Sequence, residues 1–299
     1  MEILRLLEGI RSPVLNTIFS LITQLGEDTV GIVLLCAIFW CISKRAAYGI
    51  GIAYFLSGLT VQGAKIIFRI DRPWIIDSTL TPVPKALGSA TGYSFPSGHT
   101  QSATALFGSL GVQIKQKPLK AVCFVLPFLV AFSRMYLGVH TLLDVGAALF
   151  ISFLFILLTV VFFKGDMAGK KREFAIALVM ILYAVAVIVI AAVLYSNGTI
   201  EHSYISDCLK AAGAGVGFAA GMYIERVYIC FSVKAKNILW QIIKFVIGFA
   251  VVLAIKEGLK LIIGTGLVAD TFRYFLMIMW VIVLYPLIIK RFFSLKTPA

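Results

Sequence analysis

Residues 174–194 read FAIALVMILYAVAVIVIAAVL, without one charged side chain. A helix needs about 20 apolar residues to cross the roughly 30 Å hydrocarbon core of a bilayer, so this stretch by itself predicts a membrane-spanning helix. Similar runs recur on both sides of it. The 299 residues are 60% hydrophobic and only 14% charged, with a mean hydropathy of +0.98. A soluble domain needs more polar surface than that to meet water. The predicted fold is therefore all-α, a polytopic membrane bundle of about nine spans near 28–43, 47–69, 99–114, 119–137, 141–163, 174–195, 208–231, 238–263 and 272–289. The eighth is interrupted by Lys244, Lys256, Glu257 and Lys260. The last three sit near its outer end, where an internal ion pair is the plainer account.

Residues 1–26 lack the basic start, apolar centre and small-residue cleavage site of a signal peptide. Their apolar residues (Ile3, Leu4, Leu7, Ile10, Leu15, Ile18, Phe19, Ile22) follow a broken helical period. An amphipathic helix lying on the membrane is the expectation. Gly213, Gly217 and Gly221 repeat at every fourth position of the seventh span, a spacing that lets helices approach closely. The expected use is packing within the chain.

The net charge of +13 would suggest nucleic acid in a soluble protein, but the cations are gathered between hydrophobic runs. They lie at 44–45, 115–120, 164–172, 234–236 and 290–296, and none is interleaved with aromatics as a nucleic-acid groove would be. Multi-pass proteins concentrate Lys and Arg in cytoplasmic loops. That rule puts 70–95, 138–140, 196–206 and 264–271 outside. The five cysteines (Cys36, Cys41, Cys123, Cys208, Cys230) show no metal-ligand spacing and read as small hydrophobes.

Three patches carry chemistry, and all three fall at the outer face on this topology. In the first, Lys65, Arg69 and Arg72 are spaced to share one helix face, and Pro73 is expected to end that helix. Such cations can neutralise a phosphate; taken alone, they read first as flanking charges that snorkel to the interface, and Arg69 is left there. The second, Pro96-Ser97-Gly98-His99, reads as a loop turning into a helix. The N–H groups of Ser97, Gly98 and His99 would form an anion site, with His99 placed to protonate a leaving group. The tetrapeptide arises by chance in about one such chain per thousand. The third runs from Ser133-Arg134 to His140 and Asp144. At i, i+4 the Asp144 carboxylate can orient the His140 imidazole and leave its other nitrogen as a nucleophile. An ionisable group within a span is a functional candidate by default, set against a satisfied interfacial histidine with a structural aspartate.

Taken together, Lys65…Arg72-Pro73, Pro96-Ser97-Gly98-His99 and Ser133-Arg134…His140…Asp144 resemble the three-part signature of the type-2 phosphatidic acid phosphatase (lipid phosphate phosphatase) superfamily, which is membrane-bound and metal-independent. The resemblance implies that His140 attacks phosphorus and forms a phosphohistidine, that Asp144 orients it, and that His99 is the general acid. Lys65, Arg72, Ser97, Gly98 and Arg134 would bind the phosphoryl oxygens. It implies no metal and no cofactor. The implied activity is removal of a terminal phosphate from a lipid at the outer face of a bacterial plasma membrane. Alternatives are transfer of that phosphate to an alcohol, a soluble sugar phosphate as substrate, or a non-catalytic lipid-binding scaffold. Vanadate-dependent haloperoxidases share the signature, but membrane burial argues against them. The expected partners are a lipid phosphate and membrane lipids, with no nucleic acid, and the oligomeric state is left open. The expected organisation is an interfacial helix at 1–26, a phosphatase core at 27–163 and additional spans at 164–299. Extra spans of this kind resemble the layout of glucose-6-phosphatases and sphingosine-phosphate phosphatases.

Overall fold

The computed structural model describes residues 1–162 and 169–293, and among these every regular element is helical. In chain order they are α1 (Glu2–Gly9), α2 (Pro13–Gln24), α3 (Asp28–Ile42), α4 (Lys44–Phe68), α5 (Pro73–Ile76), α6 (Pro84–Leu87), α7 (98–113), α8 (Lys117–Tyr136), α9 (Leu142–Phe162), α10 (Lys170–Ser196), α11 (202–229), α12 (Ile238–Ile263) and α13 (Leu267–Phe292). Six of these (α8, α9, α10, α12, α13, and α4 counted together with the short α5) are long and apolar enough to cross a membrane. The pair α2 and α3, bent by 47°, makes a seventh if it is one span. This is a multi-pass membrane protein. Lys164 and Lys296 of the basic clusters lie outside the described residues.

The chain forms two compact units, one from 1–32 with 56–161 and the other from 33–55 with 162–299. The second unit thus takes up 33–55, a stretch that the sequence grouped with the core.

In the first unit, the N-terminal segment is two helices and not one. Pro13 opens α2, where its missing N–H costs little, and Ser12 caps that helix, its hydroxyl accepting from Leu15 N at 3.3 Å. Leu4 and Leu7 of α1 are buried against Leu80, Ala131, Met135 and Val145. Phe19 of α2 packs on the Tyr136 ring, 4.2 Å between centroids. Burial on protein therefore accounts for part of the apolar pattern. Leu6, Ile10, Val14 and Leu21 stay exposed. Helix α7 is short, about 24 Å at 1.5 Å per residue, and most of it is buried, polar residues included. Gln101 donates to Ser57 Oγ at 2.8 Å, and Thr104 to the Thr100 carbonyl at 2.6 Å.

The second unit is held by close helix packing and by paired charges. A Cβ at Gly213 or Gly217 would collide with the carbonyl of Thr271 or Phe275, and one at Gly221 would press on Ile282, all on α13, so the glycine stripe does pack within the chain. Trp40 donates to the Val281 carbonyl at 2.9 Å, and Tyr285 to the Lys244 carbonyl at 2.5 Å. Glu225 and Lys44 pair at 2.8 Å, and Glu173 and Arg226 at 2.7 Å. Glu257 is exposed at a widened turn of α12. The five cysteines are free.

Candidate active site

All eight residues singled out from the sequence belong to the first unit. Helix α4 brings Lys65 to its last turn and stops at Phe68, because Arg69 turns the backbone left-handed (φ 52°). Arg72 is therefore off the helix, and the three cations do not share a helix face as expected. Pro73, expected to end α4, instead opens the short α5 with Arg72 at its N-cap. Arg69 is exposed.

The loop at 91–94 folds back over this end. Lys65 Nζ donates to the Tyr93 carbonyl at 2.7 Å. Arg72 donates to the carbonyls of Thr91 (2.5 Å), Gly92 (3.0 Å) and Val139 (3.0 Å). Its Nη1 also lies 2.9 Å from His140 Nε2. An arginine is always charged and can only donate, so Nε2 is the accepting nitrogen and the ring proton sits on Nδ1. Burial, and after it the positive charges of Arg72, Arg134 and Lys65, push the His140 imidazole well below its ordinary range. A neutral ring with a lone pair on Nε2 is the form a nucleophile needs.

Helix α8 ends in a corner that carries the chain from Arg134 round to His140. Gly138 is left-handed (φ +76°), a backbone conformation that calls for glycine. Val139 N bonds back to the Arg134 carbonyl at 3.1 Å, closing the helix end. Arg134 is fully buried. Its Nη1 donates to the hydroxyls of Thr23 (3.0 Å) and Ser89 (3.3 Å), while Nε and Nη2 have no partner among the described residues. Ser133 bonds locally, to the Val130 carbonyl at 2.7 Å.

Asp144 has a structural duty beside any chemical one. Thr141 caps α9, with its hydroxyl accepting from Asp144 N at 3.3 Å, and Asp144 Oδ2 accepts from Thr141 N at 2.7 Å. That is a reciprocal capping box. The same Oδ2 lies 3.5 Å from His140 Nδ1, a long separation for a hydrogen bond. Ser94, which the sequence reading passed over, lies between them. Its hydroxyl donates to Asp144 Oδ2 at 2.6 Å and is 3.4 Å from His140 Nδ1.

Ser97 caps α7, as a loop turning into a helix requires, and accepts from the Thr100 hydroxyl at 3.0 Å. Its N–H is not available to an anion, since it donates to the Asp144 carbonyl at 3.1 Å. The first N–H groups of α7 are those of Gly98 and His99, and a helix leaves such groups without internal partners. Space is open around the Gly98 Cα. The backbone of His99 is seated on Gly26, where a Cβ would lie 2.5 Å from the His99 carbonyl oxygen. The buried Nε2 of His99 has no partner among the described residues. Thr23, Gly26 and Ser89 are, like Ser94, contributors the sequence did not single out. No group of three His, Cys, Asp or Glu side chains that could hold a metal ion occurs among the described residues.

The arrangement can surround a tetrahedral anion with guanidinium and ammonium groups and present it to a neutral imidazole. A family model described as the PAP2 superfamily matches residues 45–168, and another, described as a PAP2 superfamily phosphatase transmembrane extension, matches 209–297. Human sphingosine-1-phosphate phosphatase 2 is 25% identical, the match covering 80% of this chain and 63% of that protein. The chain thus spans less than two thirds of that relative's length. Among solved structures, Aquifex aeolicus LpxE is similar over 54% of this chain and 93% of its own, with 28% identity and a TM-score of 0.47. A PAP2-type phosphatidylglycerolphosphate phosphatase from Bacillus subtilis is similar over 56% and 85%, with 23% identity and a TM-score of 0.47.

Proposed function

Because this chain belongs to the PAP2 superfamily, we propose that it is a metal-independent phosphatase that removes the terminal phosphate of a membrane lipid. The observation that carries the proposal is the fully buried Arg134, whose Nε and Nη2 donors meet no acceptor among the described residues. Burying such a charge is costly unless an anion meets it, and a phosphate is the anion that planar guanidinium donors suit best.

Arg72 Nη1 releases His140 Nε2 as the guanidinium turns to the phosphate, Nε2 attacks phosphorus, and the P–O bond to the lipid breaks. Burial and the charges of Arg134, Arg72 and Lys65 hold His99 neutral before substrate binds, so it takes up a proton with the incoming phosphate and gives that proton to the departing oxygen. Water then attacks phosphorus of the phosphohistidine, giving a proton to His99, and the P–N bond breaks, releasing phosphate and returning His140 to its neutral form. Asp144 holds the Nδ1–H tautomer. Lys65, Arg72, Arg134 and the N–H groups of Gly98 and His99 stabilise the negative charge that builds up on the transferring group. On this reading, 27–163 carries the chemistry and 164–299 adds membrane helices. The distribution of Lys and Arg supports nine spans with the site on the extracytoplasmic face. The exposed Leu6, Ile10, Val14 and Leu21 suit a helix pair resting at the membrane interface.

The test is phosphate release by the purified protein, with EDTA present, from phosphatidic acid, phosphatidylglycerol phosphate, an isoprenoid diphosphate and a sphingoid phosphate. Turnover that orthovanadate inhibits and His140→Ala abolishes is expected. Activity lost in EDTA and restored by magnesium would contradict the mechanism. An alcohol acceptor added to the same assay separates transfer from hydrolysis. For the face, Lys85→Cys in a background without native cysteines is expected to react with an impermeant thiol reagent on intact cells, and Lys117→Cys only on opened ones. Lys85 is exposed, whereas Ser89 is tied to Arg134.

A further inference from the structure

Orientation of the nucleophile by Asp144 alone meets a geometric difficulty. The 3.5 Å between His140 Nδ1 and Asp144 Oδ2 exceeds the range of a good N–H···O bond. The same carboxylate oxygen already accepts the Thr141 N–H at 2.7 Å as part of the helix cap. Ser94 stands against both groups, buried to within 1% and held by its own N–H on the Ile70 carbonyl at 2.8 Å. Its hydroxyl proton is committed to Asp144 at 2.6 Å, which leaves the Ser94 oxygen as a second acceptor facing Nδ1, at 3.4 Å a contact as long as that of the carboxylate, so that the Nδ1 proton is shared between the two.

We infer that Ser94 is a positioning residue, the middle member of a His140–Ser94–Asp144 chain that fixes the proton on Nδ1 and so keeps Nε2 as the nucleophile. A hydroxyl has one proton and two lone pairs. Once that proton is donated to the carboxylate, the oxygen can face only a donor, and an imidazole with its proton on Nε2 would set two lone pairs against each other. When Nε2 becomes bonded to phosphorus, the ring carries positive charge, and Nδ1–H gains in strength as a donor to the same oxygen. Ser94 also closes the 91–94 loop, whose carbonyls hold Lys65 and Arg72. The aim of the nucleophile and the seat of the phosphate clamp are thereby fixed by one short stretch of backbone. The inference rests on the phosphatase reading above.

The experiment compares wild type, Ser94→Ala, Ser94→Thr, Asp144→Asn and the Ser94→Ala/Asp144→Asn double variant on whichever lipid phosphate the wild type turns over. Loss of one hydrogen bond to a charged group amounts to about 10- to 100-fold. That loss is expected in kcat for Ser94→Ala, with KM within about twofold, and Ser94→Thr, which keeps the hydroxyl, is expected to recover at least part of it. Because Ser94 acts through the same proton as Asp144, the double variant should be little slower than Asp144→Asn. Orthovanadate affinity, measured in parallel by titration calorimetry, should weaken about tenfold in Ser94→Ala. Wild-type kcat and vanadate affinity in Ser94→Ala, or fully additive losses in the double variant, would overturn the inference while leaving the phosphatase reading intact. A wild type that neither releases phosphate nor binds orthovanadate would overturn both.

Discussion

Arg134 in the first unit and Glu225 in the second are both wholly buried charges, and they are treated in opposite ways. Glu225 is satisfied from within the chain, by Lys44 Nζ at 2.8 Å, the Tyr48 hydroxyl and the Phe231 N–H at 3.1 Å. Arg134 has two neutral hydroxyls on one nitrogen and, among the described residues, acceptors on neither of its other two. A buried carboxylate answered by its own helices ties those helices together. A buried guanidinium answered only in part is expensive to keep, and the expense is compatible with selection where an incoming anion completes it. The difference separates structural from functional charge in a chain whose family signature covers only the first of the two residues.

The contrast can be broken most sharply at Arg134. Arg134→Met keeps the bulk and removes the donors, and the expected loss in kcat is about 10²- to 10³-fold, with a melting temperature in detergent that does not fall. A fall of many degrees would make Arg134 a structural residue after all. Glu225→Gln is expected to behave in the reverse manner. It leaves Lys44 beside a neutral amide and should cost about 2–3 kcal/mol, below the range for a fully buried pair because Lys44 is partly exposed. Activity per folded molecule should stay within about twofold, checked by thermal unfolding and turnover on the same preparation. The smallest effect is expected at Thr23, which lies outside the stretch matched by the family model. Thr23→Val takes one of two acceptors from Arg134 and should lower kcat/KM about three- to tenfold, with Thr23→Ser close to wild type. No change in Thr23→Val would mean that Ser89 alone holds the guanidinium.

The helical character of the chain was legible because apolar runs such as 174–194 admit few other readings. The break at Pro13 was legible too, in a serine followed by a proline, but the apolar period running across it suggested a single helix. The end of α4 was not, since Arg69 adopts a left-handed backbone that arginine does not favour and that the fold around it must impose. At the site, motif spacing pointed to Lys65, Arg72, His99, Arg134, His140 and Asp144. Spacing could not find Thr23 or Ser89, because each meets Arg134 only through the folded chain, Thr23 from 111 residues away. Ser94 was nearer to discovery, three residues before Ser97 in Ser-Phe-Pro-Ser-Gly-His, yet a serine beside a turn has ordinary uses. The cap formed by Asp144 was written in Thr141-Leu142-Leu143-Asp144, and it means that Asp144→Asn weakens a helix start as well as a dyad.

The most direct measurement is titration calorimetry of orthovanadate into purified wild type, Arg134→Met and Glu225→Gln. If the half-satisfied arginine is kept for a phosphate, vanadate should bind the wild type and Glu225→Gln with similar affinity and Arg134→Met at least about 100-fold more weakly. Equal affinity in all three would contradict the account, because the donors that Arg134 holds in reserve would then serve no anion.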